Sequence, residues 1–470
     1  MPEGPSLDLV IIGLGSAGMV AADFAAELGV RTIAVEASRV GGDCLWTGCV
    51  PSKSLLAAAA SAHAIRTADV VGLPAGAPAP DLGAVWRRIA AVRAEISAGD
   101  DSPERLRARG IEVLVGEPAR MLGPHHVEVG GRALSTRFVL ICTGSRPAIP
   151  PIPGLAEAGF LTSETFFELP HPPRRLLFIG GGPISLELAQ AMSRLGLEVT
   201  ILEAAPQVAP REEPELVSEL VEVLRREGVV IETSVRIEEV LGSPRGKTVR
   251  GSVSDAPRTW EADEIFVGTG RRPNVEGLGL EGVRIEVAPA GIVVDDSLRT
   301  AVRSVYACGD VTGRHHFTHS AGHEAVQALR GMFFPGRGRA PRLVPWCTFT
   351  DPQLAHAGLT AAEAEAAYTR VRVYRSELAH SDRARADAST VGRVLLVTAR
   401  SRLVGAHILA PNAGEAIHEP ALAISRNLKI DALSGLVHIY PTYSTSVEMA
   451  AAQAGTERAR RLRFLVRHRS

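Results

Sequence analysis

The sequence predicts an α/β protein of several domains, in which two similar strand–turn–helix–strand units precede a differently built α+β domain. The chain has 470 residues with 46% hydrophobic residues, which is too long for one ordinary domain and apolar enough for several cores. A buried strand that runs into a glycine-rich turn and a helix occurs twice. These turns stop near Pro345, and alternating strands such as 393–398 and 402–409 follow.

The first unit is a buried strand, a turn containing Gly13, Gly15 and Gly18, a helix, and a second strand that ends at Glu36. Gly13 permits a tight turn, Gly15 lets the backbone approach a pyrophosphate, and Gly18 allows the helix to pack closely. Glu36 can accept a hydrogen bond from a ribose hydroxyl. With strand, helix and acid in register, the pattern predicts a dinucleotide-binding βαβ unit of the Rossmann type.

The second unit repeats this pattern with Gly180, Gly182 and an acidic residue, Glu203, at the end of its second strand. Ser185 replaces the third glycine and is small enough to pack closely. Two such units indicate two dinucleotides. Because no arginine directly follows Glu203, we expect a free ribose 2′-hydroxyl, and therefore NAD(H) in preference to NADP(H).

Two further strands end in similar glycine turns, which contain Thr143 and Gly144 in one case and Gly270 in the other. Each turn is followed by arginine and proline, as where a chain leaves one domain for the next. We therefore expect a first domain split by an inserted one, and then the α+β domain. The predicted boundaries are 1–150 and 271–342 for the split domain, 151–270 for the inserted domain and 343–470 for the last. The segment from 53 to 109, with a loop near 72–80, is expected to form a helical surface arm.

The sequence following Gly41-Gly42-Asp43 carries two cysteines, Cys44 and Cys49. In an ideal helix residues five apart have Cα atoms about 8.6 Å apart, whereas a disulfide needs about 4.4–6.8 Å. A bond between them therefore requires a distorted turn near Gly48, and Pro51 predicts a helix that begins at Cys49. The helix N-terminus and Lys53 would favour a thiolate there. Two unlinked thiols are the alternative, which the position directly after a dinucleotide unit disfavours.

The order of these motifs resembles the class I pyridine nucleotide-disulfide oxidoreductases, the family of lipoamide dehydrogenase, glutathione reductase and mercuric reductase. The resemblance implies FAD on the first unit and NAD(P)H on the second, with the glycines, acids and turn residues named above at the cofactors. It also implies a homodimer. Within that family Cys44 corresponds to the outer, substrate-attacking sulfur and Cys49 to the inner sulfur that interacts with the flavin.

Three further residues take their expected roles from the resemblance. Glu187 is expected to pair with Lys53 near the flavin, and Asp310 to bind the ribityl chain. Read without the family, Asp310 is equally well a helix cap. His319 is expected to line the flavin pocket, while no metal site is expected in the histidine-rich stretch around it.

The chain departs from the family where disulfide-reducing members keep an acid–base histidine, because Tyr440 stands at that position and Thr445 replaces the following glutamate. With a reference pKa near ~10, tyrosine is a poor proton acceptor at neutral pH. His438 is expected to be a surface residue, and on a strand it would face the same side as Tyr440. The residues within these motifs are most similar to those of the mercuric-reductase-like branch of the family, yet no cysteine follows Cys347 to deliver Hg(II).

Three functions remain open at this point: an NAD(P)H-dependent reductase of a disulfide or Hg(II)-like acceptor, a quinone-reducing diaphorase, and a flavin redox sensor with little turnover. The net charge of -1 favours a small-molecule acceptor over nucleic acid or a membrane surface. Without a basic, apolar leader, a cytoplasmic location is expected. Cys142, Cys308 and Cys347 are expected to be buried and without chemistry.

Overall fold

The computed structural model describes residues 7–169, 172–244, 246–334, 336 and 338–465. Its strands are β1 (Leu7–Ile12), β2 (Thr32–Glu36), β3 (Glu112–Val115), β4 (Ala119–Gly123), β5 (His126–Val129), β6 (Arg132–Ile141), β7 (Ser145–Pro147), β8 (Arg175–Ile179), β9 (Glu198–Leu202), β10 (Val229–Glu232), β11 (Val235–Ser243), β12 (Gly246–Val253), β13 (Ala256–Ala262), β14 (Glu264–Val267), β15 (Arg271–Pro273), β16 (Val287–Ala288), β17 (Gly291–Ile292), β18 (Val305–Ala307), β19 (Trp346–Thr348), β20 (Gln353–Gly358), β21 (Val371–Glu377), β22 (Arg393–Ala399) and β23 (Arg402–Ala410).

The α-helices are α1 (Ser16–Glu27), α2 (Gly42–Trp46), α3 (Cys49–Arg66), α4 (Leu82–Ala98), α5 (Pro103–Ala108), α6 (Leu155–Ala158), α7 (Ser163–Phe166), α8 (Pro183–Arg194), α9 (Pro214–Arg226), α10 (Thr318–Phe333), α11 (Ala361–Ala367), α12 (Asp382–Ala386), α13 (Ala413–Ala416), α14 (His418–Ser425), α15 (Asp431–Ser434) and α16 (Thr445–Arg461). None of them, within the described ranges, is long and apolar enough to cross a membrane.

The first sheet has the order β3-β2-β1-β6-β5-β4, with β18 also paired to β6. Its β1, β2, β3, β6 and β18 run parallel, and β18 joins it from a distant part of the sequence. Within this parallel part, the central strands β1 and β2 and the last three residues of β6 are nearly continuous runs of buried residues, as expected for strands covered on both faces. Helices α1 and α10 pack together in the core on one face.

The second sheet is fully parallel in the order β10-β9-β8-β14, and an antiparallel sheet β11-β12-β13 follows β10 in the chain. The short pair β7 and β15 connects the segments before and after this region. The C-terminal sheet is antiparallel in the order β19-β20-β23-β22-β21. The protein is therefore an α/β structure with a separate, antiparallel α+β portion at its C-terminal end.

Helix α3 is not part of a surface arm, contrary to the expectation for residues 53–109. Its Leu55, Ala59 and Ala62 are buried, and it packs against α8 of the second unit. These residues are spaced four and three apart, so they form one apolar face along the helix. The packing places the N-terminus of α3 beside residues of the second unit.

Candidate active site

The turn after β1 has the backbone geometry that its glycines predict. Gly13 has φ +98°, and a Cβ atom there would lie 2.5 Å from the carbonyl oxygen of Cys142. A Cβ at Gly18 would lie 1.8 Å from the oxygen of Gly13. At Gly15, the N-cap of α1, a Cβ would meet only the Cα of Gly42 at 3.7 Å. The outer glycines are therefore required by the fold, whereas Gly15 leaves the helix N-terminus open to a ligand.

The turn after β8 repeats this arrangement. Gly180 has φ +99°, and a Cβ there would lie 2.6 Å from the oxygen of Gly268. Gly182, the N-cap of α8, is again open, since a Cβ would meet only that oxygen at 3.9 Å. Ser185 is fully buried and would lie 2.4 Å from a Cβ on Gly268, so the third small residue packs closely as predicted. The two turns thus offer two similar helix N-termini.

The two acidic residues hold their turns in the same way. Glu36 accepts hydrogen bonds from the N–H of Leu14 (2.7 Å) and of Ser38 (2.9 Å). Glu203 accepts from the N–H of Gly181 (2.6 Å) and of Ala205 (2.7 Å). Each carboxylate therefore stands at the end of its strand and is bound to the backbone of the adjacent glycine turn.

The helical path is broken between Cys44 and Cys49. Cys44 lies in α2, whereas α3 begins at Cys49, and the intervening Thr47 and Gly48 leave helical geometry. The N–H groups of both intervening residues donate to the carbonyl oxygen of Asp43, at 2.9 Å and 2.6 Å. The break required for a bond between the cysteines is present, and the predicted helix start at Cys49 is confirmed.

Both cysteines are free thiols in this structure, and their electrostatic environments differ. A hydrogen bond from Cys44, a second from Thr318 and the charge of Lys53 lower the pKa of Cys49 to about 6, against the effect of burial. The same hydrogen bond, together with burial, raises the pKa of Cys44. Both effects favour the thiolate on Cys49 and the proton on Cys44.

The cation beside Cys49 is held from the second unit. Lys53 Nζ lies 2.8 Å from Glu187 Oε2 on α8 and 4.3 Å from the ring centroid of Phe349. Glu187, which is buried, also accepts from the N–H of Phe349 (2.9 Å). The structure thus brings together the two residues that the resemblance paired.

Two residues of the site, Thr318 and Arg271, were not identified from the sequence. Thr318, the first residue of α10, has its hydroxyl 3.4 Å from Cys49 Sγ. Arg271 donates to the carboxylate of Asp43, next to Cys44, and to the hydroxyl of Ser145 (2.6 Å). Their only signals in the sequence are a threonine at a helix start and the arginine after Gly270.

The predicted turn residues around Asp310 form a connected set. Asp310 Oδ2 accepts from the hydroxyl of Ser145 (2.6 Å). The hydroxyl of Thr143 donates to the carbonyl oxygen of Asn274 (2.7 Å), and Gly144 has φ +68°. These contacts fasten the end of β6 to the segment that re-enters the first sheet.

A cavity of about 1500 Å³ lies between the two units and the C-terminal sheet. Eight of the predicted site residues line it: Cys49, Lys53, Gly180, Gly182, Glu187, Glu203, Gly270 and His319. His319 Nε2 lies 2.8 Å from the carbonyl oxygen of Pro345 at its edge. One cavity thus joins the second glycine turn to Cys49.

A family model described as pyridine nucleotide-disulphide oxidoreductase matches residues 7–325, and the model of that family's dimerisation domain matches residues 344–451. The chain belongs to the pyridine nucleotide-disulphide oxidoreductases. It is therefore a flavoprotein enzyme that depends on FAD and uses a pyridine nucleotide, and the dimerisation domain supports a homodimer.

Relatives of this oxidoreductase differ in the substrates that their names state. The chain is 34% identical to a mercuric reductase of Streptomyces lividans, over 94% of this chain and 95% of that one. It is also 34% identical to a dihydrolipoyl dehydrogenase of Thermus scotoductus, over 95% and 97%. The solved Cu(II) complex of the HOCl-induced flavoprotein disulfide reductase RclA from Escherichia coli has a TM-score of 0.83 and 26% identity, over 94% and 99%.

Two expectations near the C-terminus of the oxidoreductase need correction. The segment containing His438 and Tyr440 is not a strand. The His438 ring is 3% exposed rather than on the surface, and its Nε2 lies 3.0 Å from Glu419. The Tyr440 hydroxyl instead donates to Asp382 (2.6 Å), which raises the pKa of the tyrosine. The two side chains therefore have different partners.

Proposed function

We propose that Cys44 and Cys49 carry electrons from NAD(P)H to a thiophilic acceptor, either a disulfide or a soft metal ion of the Hg(II) type. The observation that carries the proposal is the position of Cys49. Cys49 is the first residue of α3, and the pKa of its thiol is lowered. The residue lines the same cavity as Gly180 and Gly182. A stabilised thiolate is the reactive form of a cysteine in thiol–disulfide exchange, and the shared cavity leaves room for a cofactor between it and the second glycine turn.

The two glycine turns fit two dinucleotides. Gly15 and Gly182 have open space where a pyrophosphate would approach a helix N-terminus, so we assign FAD to the first turn and the nicotinamide nucleotide to the second. Thr143, Gly144 and Asp310 belong to the first site in this proposal, and Gly270 to the second. Bound FAD supplies the two-electron chemistry that links a nicotinamide to a dithiol.

We propose a preference for NAD(H), because the carboxylate of Glu203 would repel a 2′-phosphate. Three arginines line the same cavity: Arg211, Arg236 and Arg271. Each has another partner. Arg211 lies over the ring of Trp346 at 4.7 Å, Arg236 donates to Glu238 (3.0 Å), and Arg271 donates to Asp43 and Ser145. None of these arginines is therefore held ready for a phosphate.

The cysteines have separate roles in the transfer of electrons to a disulfide acceptor. Cys44 passes its proton to the Cys49 thiolate, attacks one acceptor sulfur and expels the other as a thiolate. Cys49 then gives that proton to the departing thiolate and attacks Cys44 Sγ, which re-forms the internal disulfide and releases the second thiolate. The acceptor gains two electrons. The single proton of the reduced pair goes to the first product, and the second product takes its proton from water.

The pair Lys53–Glu187 positions charge beside these sulfurs. Lys53 lowers the pKa of Cys49, while Glu187 raises it and holds the ammonium group at 2.8 Å. The pair therefore limits how far the thiolate is stabilised. A thiolate that is stabilised too strongly is a weaker nucleophile.

Tyr440 favours acceptors that need no proton from the protein. Its hydroxyl already donates to Asp382 and its pKa is raised, so it neither accepts nor readily releases a proton at neutral pH. A departing alkyl thiolate would receive no proton from it. A soft metal ion needs none, because it is bound by thiolates and takes electrons directly. The names of the mercuric reductase relative and of the Cu(II) complex agree with this class.

The test is steady-state oxidation of NADH and NADPH by the FAD-loaded enzyme against disulfides, Hg(II), Cu(II) and quinones. We expect NADH to support reduction of the metal ions, and Cys44→Ser and Cys49→Ser each to lower that rate at least about 100-fold. Quinone reduction should persist in both variants, since it bypasses the sulfurs. Metal-ion and disulfide rates that are undiminished in Cys44→Ser would refute the dithiol route and leave the diaphorase function.

A further inference from the structure

A second cluster of polar side chains lies beside the cavity but plays no part in the proposed electron transfer. Glu212, His356 and His407 each offer one ligand atom, and the three atoms lie within 4.8 Å of one another. The residues are 4%, 2% and 0% exposed. Glu212 comes from the loop between β9 and α9, whereas the histidines lie on β20 and β23 of the C-terminal sheet.

The hydrogen bonds of the two rings determine which nitrogens carry protons. His356 Nε2 lies 2.8 Å from the carbonyl oxygen of Gly358, and His407 Nε2 lies 2.9 Å from that of Leu359. A carbonyl can only accept, so each Nε2 is protonated and each Nδ1 of a neutral ring has a free lone pair. Ring N–H groups that donate to backbone carbonyls are the usual support of metal-binding histidines.

The two Nδ1 atoms then lack suitable partners. His356 Nδ1 lies 3.0 Å from Glu212 Oε2, so two acceptors face each other unless a cation lies between them. His407 Nδ1 is buried and has no hydrogen-bond partner within the part of the chain that the structure describes. An additional proton on His356 would satisfy the first contact and leave the second atom unpartnered. A metal ion would satisfy all three donor atoms.

The charge balance around the cluster also calls for a cation. Glu212 and its neighbour Glu213 are buried, at 4% and 5% exposed. Among the described residues, neither carboxylate has a lysine or arginine within ion-pair distance, and their ion-pair partners are His356 and His407. Buried charges are normally paired or bound to a metal. The other oxygen of Glu212 accepts from the indole N–H of Trp346 (2.5 Å), which fixes the carboxylate in place.

We propose that Glu212, His356 and His407 bind a divalent metal ion of the zinc type, which joins the second nucleotide unit to the C-terminal sheet. Two imidazoles and one carboxylate are a ligand set that zinc accepts, with a fourth position left for water or another donor. The ion would fasten one wall of the cavity, because Glu212 and Trp346 both line it.

The experiment measures Zn²⁺ binding to the FAD-loaded Cys44→Ser/Cys49→Ser protein, in which the catalytic thiolates cannot bind the probe. Competition with a chromophoric chelator, in the absence of nucleotide and acceptor, should give one Zn²⁺ per chain. His407→Phe keeps a ring in the core and removes the lone pair. Glu212→Gln keeps an oxygen for the indole and removes the charge. Each should weaken binding at least about 10- to 100-fold.

His323→Ala, an exposed histidine on α10 outside the cluster, is the control and should bind zinc like the parent. Flavin absorbance and the melting temperature without zinc report folding for every variant. If His407→Phe does not fold, Glu212→Gln decides the question. Absence of stoichiometric zinc in the parent, or equal binding in the parent and Glu212→Gln, would overturn the proposal. Because no turnover is involved, either result is independent of the proposed dithiol chemistry.

Discussion

The donor that stabilises the Cys49 thiolate can be removed without touching the thiolate itself. Cys44→Ala removes the hydrogen bond that is the largest cause of the lowered pKa of Cys49, and Cys44→Ser keeps a donor of similar size. In both variants Cys49 is the one remaining sulfur of the pair. Cys347 is the other partly exposed thiol, and burial raises its pKa to about 12, so it should stay unreactive at neutral pH.

The size of the effect follows from the energy of that hydrogen bond. A hydrogen bond to a charged group contributes about 1.5–3 kcal/mol, and one pKa unit corresponds to about 1.36 kcal/mol. Loss of the Cys44 donor should therefore raise the pKa of Cys49 by about 1–2 units, from about 6 toward about 7–8. Thr318 and Lys53 remain and keep it below the ordinary thiol value.

The assay is the rate of alkylation by iodoacetamide as a function of pH, followed by mass spectrometry of the modified peptide. At pH 6 the Cys44→Ala protein should react about 5- to 50-fold more slowly than Cys44→Ser, whose midpoint should stay near pH 6. Above pH 9 the two rates should converge, because Cys49 is then ionised in both variants. Superimposable pH profiles for the alanine and serine variants would refute the assignment of Cys44 as the donor.

Three further outcomes follow from the site. Gly13→Ala forces a side chain into a left-handed turn and against a backbone oxygen, so the variant should lose FAD and about 1–3 kcal/mol of stability. Gly29→Ala is the control for the contact, because Gly29 also has a positive φ (+64°) but a Cβ there meets no atom within 4 Å. Equal flavin retention in the two variants would contradict the reasoning. Glu203→Arg should shift the NADPH/NADH ratio of kcat/KM at least about 10-fold toward NADPH, with Glu203→Gln between. Tyr440→His, placed beside Asp382, should raise disulfide turnover near pH 7 at least about 10-fold while leaving metal-ion reduction unchanged.

Local patterns were sufficient for the parts of this protein that depend on neighbouring residues. A buried apolar run followed by glycines predicts β1 with its turn, and β8 with its turn, since only glycine tolerates the positive φ and the close backbone contacts found at Gly13 and Gly180. The helix start at Cys49 followed from Pro51 for the same local reason. The positions of the acidic residues at the ends of β2 and β9 were also predicted correctly, because the length of each strand fixes the distance of its last residue from the glycine turn.

Contacts between segments that are distant in sequence could not be predicted from such patterns. Helix α3, the first helix of the expected surface arm, instead packs its apolar face on α8, because a weak Ala-rich pattern does not say which surface a helix will cover. His438 was expected on the surface of a strand, but its ring lies between Glu419 and Glu448, supplied by two helices. Cys142 and Cys308 lie 166 residues apart in sequence, yet parallel pairing of β6 with β18 brings their sulfurs to 3.5 Å.

The sequence alone was sufficient to locate the two glycine turns and the cysteine pair and to indicate the family. Each of these features depends on residues within a few positions of one another. Only the tertiary structure decided which groups control the chemistry of that pair. Thr318 reaches Cys49 across 269 positions, and Glu187 reaches Lys53 across 134. The same is true of Glu212, His356 and His407, which meet where a loop of the second unit packs on the C-terminal sheet. Spacing along the chain encodes local geometry, whereas electrostatic environment is set by whatever the fold packs alongside.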